Sequence, residues 1–84
     1  MNYIVYILYS KSKDRYYIGQ TNNIERRLEE HNSGKSKSTK YGLPWELEYY
    51  KEFEDRSSAM KYENKLKNMK SREYLEKIIN TSVS

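Results

Sequence analysis

The chain has no cysteine, one proline, three glycines and one histidine in 84 residues. Without cysteine there is no disulfide framework, no thiolate zinc site and no cysteine nucleophile. No apolar run approaches the length of a membrane span. The longest, Tyr3–Tyr9, begins almost at the initiator Met, without a basic n-region or a small-residue cleavage site. The pattern argues against a secretory leader, and the expectation is a soluble cytoplasmic protein. Aliphatic bulk is also scarce. Leu, Ile, Val and Phe make up only 15 residues, about 18%, a level associated with disorder when net charge is high. The net charge is only +4, and ten Tyr and one Trp supply the missing volume. An aromatic fills a core well when its polar end finds a partner. The expectation is one small folded domain with a tyrosine-rich core, spanning 1–80, with 81–84 as a disordered tail.

The pattern along the chain is β-β-α-β-α-α. Tyr3–Tyr9 reads as a strand buried on both faces. Ser10–Arg15 has hairpin-loop length, and Tyr16–Gln20 returns. Gly19 within that strand suggests a bulge or the close approach of another group. Asn22 or Asn23 can cap a helix over 23–33, which Gly34 stops. From Trp45 to Glu54, Trp45, Leu47, Tyr49 and Phe53 alternate with Glu46, Glu48, Tyr50, Glu52 and Glu54, with Lys51 the one break on the apolar side. This alternation predicts a strand with one buried face and one wet face bearing the four acids. Asp55 or Ser57 can cap a second helix to about Met69, and Ser71 a third to about Ile79. The direction in which the third strand pairs is left open by the sequence. Three strands need helices packed on them to be stable.

Several polar residues fall where apolar ones belong. At about 100° per residue, Leu28, His31 and Arg27 all lie within about 60° of Ile24 on the first helix. A charge on a core-facing stripe is costly unless it is paired or lines a pocket. The plainer account has Arg27 snorkelling to the rim and His31 packed as a satisfied core residue. On the second helix Glu63 borders the stripe of Ala59, Tyr62, Leu66 and Met69. There the plainer account is a boundary Glu paired with Lys67. Tyr6 and Tyr17 bring hydroxyls to the two leading strands. Together the five side chains can converge on one polar pocket. The basic excess lies in residues 1–45, with eight Lys/Arg against four acids. Lys35, Lys37 and Lys40 sit in a loop free of acids, suited to phosphate contact or to simple solvation.

These residues form a recognisable series. Ile4-Val5-Tyr6, then Tyr17-Ile18-Gly19, then Asn23-Ile24-Glu25-Arg26-Arg27-Leu28 with His31, then Glu63, resembles the GIY-YIG nuclease superfamily. The likeness covers about Tyr3–Met69 and is greatest to small stand-alone members. It departs at Ile4, where the family name has Gly, and keeps the tyrosine in the third place. The resemblance implies an α/β sandwich of the α+β kind, with a three-stranded, mainly antiparallel sheet and flanking helices. It also implies metal-dependent hydrolysis of nucleic-acid phosphodiesters with one Mg²⁺ or Mn²⁺. DNA is the expected substrate ahead of RNA, and a monomer or transient dimer is the expected state. By the same likeness Tyr6, Tyr17, Arg27, His31 and Glu63 are the catalytic set, Glu63 is the metal ligand, and Gly19 belongs to the motif. This sequence leaves no room for an added DNA-binding domain, so low sequence specificity is expected.

The chemistry is consistent with these residue types. A single carboxylate suits Mg²⁺, which keeps several waters and borrows phosphate oxygens. An arginine forks to phosphate and stays charged. A free tyrosine titrates near 10 and is a poor base at neutral pH, so a neighbouring cation is expected to lower Tyr6. His31 and Tyr17 are expected to orient phosphate or pass protons. A two-metal site built from Glu46, Glu48, Glu52 and Glu54 is excluded, because they are spread too far along a strand. Two competing readings are a non-catalytic nucleic-acid-binding module on the same fold and a protein-interaction domain using exposed tyrosines.

Overall fold

The computed structural model describes residues 2–37, 39–69 and 71–82, apart from the side chain of Ser82. Three strands and three helices occur in the expected order: β1 (Tyr3–Ser10), β2 (Arg15–Thr21), α1 (Ile24–Asn32), β3 (Trp45–Phe53), α2 (Arg56–Met69) and α3 (Arg72–Ser82). β1 is the central strand of a sheet ordered β2-β1-β3, and both pairings are antiparallel. α3 runs past the expected end of the domain at 80. Thr81 is helical, and its hydroxyl donates to the Lys77 carbonyl at 2.6 Å. Val83 and Ser84, the rest of the expected tail, lie outside the described residues.

Local chemistry sets the boundaries. Asn23 caps α1, its side chain accepting from the Arg26 amide at 3.1 Å. Gly34 takes a positive φ of 80° just past the helix, a conformation that suits glycine. Asp55 accepts from the Ser58 amide at 2.7 Å, and Ser71 from the Tyr74 amide at 3.2 Å.

Alternation along β1 creates two cores. Val5 and Ile7 face α2 and α3, packing with Ala59, Leu66 and Leu75. Tyr6 and Leu8 face α1, packing with Trp45, Ile24 and Leu28. The expected burial of β1 on both faces is therefore met.

β3 departs from the sequence reading. Its register with β1 slips between Ile7 and Leu8, which pair with Tyr49 and Leu47 respectively, leaving Glu48 as the extra residue. A bulge of this kind reverses which face the following side chains take. Trp45 and Leu47 consequently join the α1 core, while Tyr49 and Phe53 pack with the α2–α3 core. The four glutamates do not share a face. Glu46 stands opposite Tyr9 and Glu52 opposite Ile4, on opposite sides of the sheet.

Candidate active site

A cleft of about 310 Å³ runs along β2, the edge strand, between α1 and the start of α2. Tyr6, Tyr17 and Gly19 line it from the sheet, Arg27 from α1 and Glu63 from α2. Gly19 explains how a tyrosine on the central strand reaches the edge. It is the direct partner of Tyr6. A Cβ there would lie 2.5 Å from the Tyr6 hydroxyl oxygen. The close approach suggested by a glycine in a strand is the ring of Tyr6 itself.

Behind the cleft, His31 is fully buried. Its Nε2 and the Tyr6 hydroxyl share a hydrogen bond of 2.9 Å, and its Nδ1 lies 2.7 Å from Thr39 Oγ1. Thr39 is also fully buried, and its hydroxyl donates to the Ser36 carbonyl at 3.5 Å. One polarity satisfies the whole chain. Thr39 accepts from Nδ1–H, and Nε2 accepts the Tyr6 hydroxyl proton. Burial first, then the charge of Arg27, lowers the His31 pKa against a smaller opposing effect of Glu30. The ring is therefore neutral near pH 7. His31 does not line the cleft; it supports Tyr6 from within.

The Tyr6 pKa is pushed up to about 12, not lowered. Desolvation of the phenolate outweighs the attraction of Arg27, and the proximity of Tyr17 and Glu63 adds to the rise. Arg27 shares its charge with Glu30, at 3.3 Å on the next turn, and the Tyr6 hydroxyl beside it holds its pKa above the ordinary value.

Glu63 does both things the sequence allowed. Lys67 Nζ lies 2.9 Å from its Oε2, as the plainer account expected, yet the residue also lines the cleft. Gln20 Nε2 donates to Oε1 at 3.4 Å. The Lys67 side chain is about half exposed and that of Glu63 only 16% exposed. The donors here are hard oxygens: one carboxylate, an amide and two hydroxyls. Among the described residues no group of three or more His, Cys, Asp or Glu could hold a metal. Such a donor set does not suit zinc or an all-protein cage. It does suit Mg²⁺ or Mn²⁺ held by one carboxylate with water and phosphate oxygens.

Lys35, Lys37 and Lys40 are exposed and do not line the cleft. Their loop is anchored nonetheless, because Trp45 Nε1 donates to the Thr39 carbonyl at 2.6 Å.

The sequence reading missed Thr39, Gln20 and Arg56. Arg56 also lines the cleft. It had a signal: Arg56, Met60 and Glu63 recur at i, i+4 and i+7, a second stripe on α2 beside the apolar one. Thr39 had none, since its role depends on a loop folding back onto α1.

Known proteins share this family and fold. The GIY-YIG catalytic domain model matches residues 2–77. Over 70 residues the chain is 43% identical to a UPF0213 protein of Bacillus cereus, covering 79% of this chain and 73% of that one. Over 69 residues it is 36% identical to a UPF0213 protein of Natronomonas pharaonis, covering 81% and 80% respectively. The solution NMR structure of a UPF0213 protein from Bacillus halodurans superimposes with a TM-score of 0.62 at 34% identity. That match covers 96% of this chain and 85% of the other. No described helix is long and apolar enough to cross a membrane. The chain belongs to the GIY-YIG catalytic domain family, alongside the small UPF0213 proteins.

Proposed function

We propose that this protein is a metal-dependent endonuclease that hydrolyses phosphodiesters in nucleic acid, DNA ahead of RNA, with little sequence preference of its own. One observation carries the reading. Two arginines, two tyrosines and a single carboxylate, drawn from both faces of the sheet, line one cleft. With two arginines against one carboxylate the cleft is net positive, which suits a phosphate and not a cation alone. A site that only bound nucleic acid would have no use for Glu63 beside the phosphate.

Arg27 forks to the phosphoryl oxygens and stays charged throughout, and Arg56 adds a second cation at the start of α2. Tyr17 orients the phosphate from the sheet. The Tyr6 oxygen takes a proton from the attacking water while its own proton passes to His31 Nε2. This relay removes the need for a free phenolate, which the pKa near 12 makes rare at neutral pH. Thr39 holds His31 in the tautomer that can receive that proton. Glu63 would hold one Mg²⁺ or Mn²⁺ ion, which when bound neutralises charge on the phosphoryl and leaving oxygens.

The test uses labelled single-stranded, duplex and branched DNA, and RNA, with Mg²⁺, with Mn²⁺ and with chelator. Tyr6→Phe, Arg27→Ala and Glu63→Gln are run beside the parent protein. The expected result is metal-dependent cleavage that each variant loses by about 10²-fold or more while remaining folded. Salt-sensitive binding with no cleavage of any substrate would replace this reading with the binding module. Cleavage persisting in all three variants would show the site to be wrong.

A further inference from the structure

Beside the cleft, along the same edge of β2, lies a second groove of about 500 Å³. Its size is that of sites enclosing one small organic molecule. Two residues join it to the cleft. Tyr17 lines both, and Lys67, which lines the groove, holds the Glu63 carboxylate of the cleft.

The groove combines aromatic and cationic side chains. Tyr16, Tyr17 and Tyr41 line it together with Arg15, Lys67 and Arg72. Asp14 is the one acid among its described lining residues, and Arg72 takes it up: Nη1 donates to Oδ2 at 2.9 Å, and Nη2 to Oδ1. Arg72 also lies over the Tyr16 ring, 5.5 Å from its centroid. Lys67 is engaged by Glu63. Arg15 is exposed and makes no ion pair among the described residues, so its charge is available to a ligand.

Tyr41 is the distinctive element. It is 50% exposed, a large ring at the surface on a 3₁₀ turn over Lys40–Gly42. Yet it is held in place, perpendicular to Trp45 with centroids 6.0 Å apart. Trp45 also meets Tyr17 edge-on at 6.1 Å, so one indole sets both the groove aromatic and the cleft aromatic.

We infer that this groove receives one unpaired nucleotide of the substrate strand flanking the scissile phosphate, its base stacked on Tyr41 and its phosphate on Arg15. The inference rests on the nuclease reading and specifies its substrate class. Base faces inside a duplex are already stacked, so an aromatic platform beside a basic group recognises bases free of a helix. The favoured substrate is therefore a duplex with a single-stranded tail or branch at the cut site, not a continuous duplex.

Binding is measured with chelator present, so that cleavage plays no part. Duplexes carry 2-aminopurine at successive positions of a 5′ or a 3′ tail, and a fully paired duplex is the control. The expected result is quenching at one tail position by the parent protein and by Tyr41→Phe or Tyr41→Trp, and none by Tyr41→Ala. Affinity of Tyr41→Ala for the tailed duplex should fall about 5- to 150-fold, the value of one base–aromatic stack. Affinity for the paired control should change less than about twofold. Arg15→Gln should make the salt dependence of tailed-duplex binding shallower by about 0.7, the slope of one single-strand phosphate contact. Circular dichroism and melting confirm that the variants fold, as expected for half-exposed or exposed positions. Equal loss on tailed and paired duplexes, or no loss on either, overturns the inference. A Tyr41-dependent tail preference without cleavage in Mg²⁺ keeps the groove and overturns the nuclease. Cleavage without Tyr41 dependence does the reverse, and absence of binding to any substrate overturns both.

Discussion

Thr39 decides how Tyr6 can act, although it never meets the cleft. Its hydroxyl pairs with His31 Nδ1, and His31 in turn holds the Tyr6 proton. Thr39→Val keeps the shape and takes that partner from a buried ring nitrogen, so stability should fall by about 1–3 kcal/mol. Cleavage should fall as well, with nucleic-acid affinity unchanged, and Thr39→Ser should restore both. Denaturant titration beside cleavage kinetics checks this; a variant that melts early but cuts normally would reduce Thr39 to a packing residue. His31 gives a second prediction. Its folded pKa lies below the ordinary value near 6.5, so the unfolded chain binds its proton more readily. Stability from this group is fully present above about 6.5 and is lost as pH falls through the lower folded value. With one histidine in the chain, thermal melts from pH 8 to pH 5 read that loss directly. The slope should flatten in His31→Gln. At this scale the sequence was informative about identity and poor about degree. Arg27 and His31 stood out on an apolar stripe, but only the depth of burial shows that Tyr6 is raised, because desolvation and a nearby cation pull in opposite directions.

Elements were legible wherever their signals were local. The caps Asn23, Asp55 and Ser71 and the stop at Gly34 depend on residues within a turn of one another. β3 was misread because its clue is non-local. The alternation from Trp45 to Phe53 is broken on its apolar side at Lys51 alone, and only pairing with β1 shows the extra residue, Glu48, that turns Trp45 and Leu47 towards α1. Gly19 lies between these cases. A glycine inside a strand announces a close approach without saying to what. Gly19→Ala should leave the β1–β2 pairing intact and push the Tyr6 ring from its place, since the added methyl would lie 2.5 Å from the hydroxyl oxygen. Overpacking of this sort costs about 1–3 kcal/mol. The larger effect is expected on cleavage, because the Tyr6–His31 bond must lengthen. A Tyr6 side-chain NMR shift unchanged in the alanine variant, or full activity, would mean that the ring has room to yield.

For the whole molecule, charge placement is what the sequence made visible and its geometry is what it hid. All of the +4 net charge falls in the first 45 residues, and the remainder balances. The structure puts Arg27 in the cleft, Arg15 in the adjoining groove, and Lys35, Lys37 and Lys40 on an exposed loop outside both. That loop is fixed at its far end by Thr39 and Trp45, so its lysines are presented from a held backbone and not from a free tether. Their contribution should be electrostatic and indifferent to sequence. Replacing all three with Gln should make the plot of log affinity against log salt shallower by about 0.9 for each duplex phosphate no longer neutralised, a change of about 2–3 if every lysine is engaged. Melting temperature and the preference among substrates should not change, since the three side chains are exposed and none lines the cleft. Binding titrations across a salt series on one duplex give the answer. A slope equal to that of the parent protein would assign the three lysines to solvent and move the phosphate contacts to other cations, the arginines of the cleft and groove first.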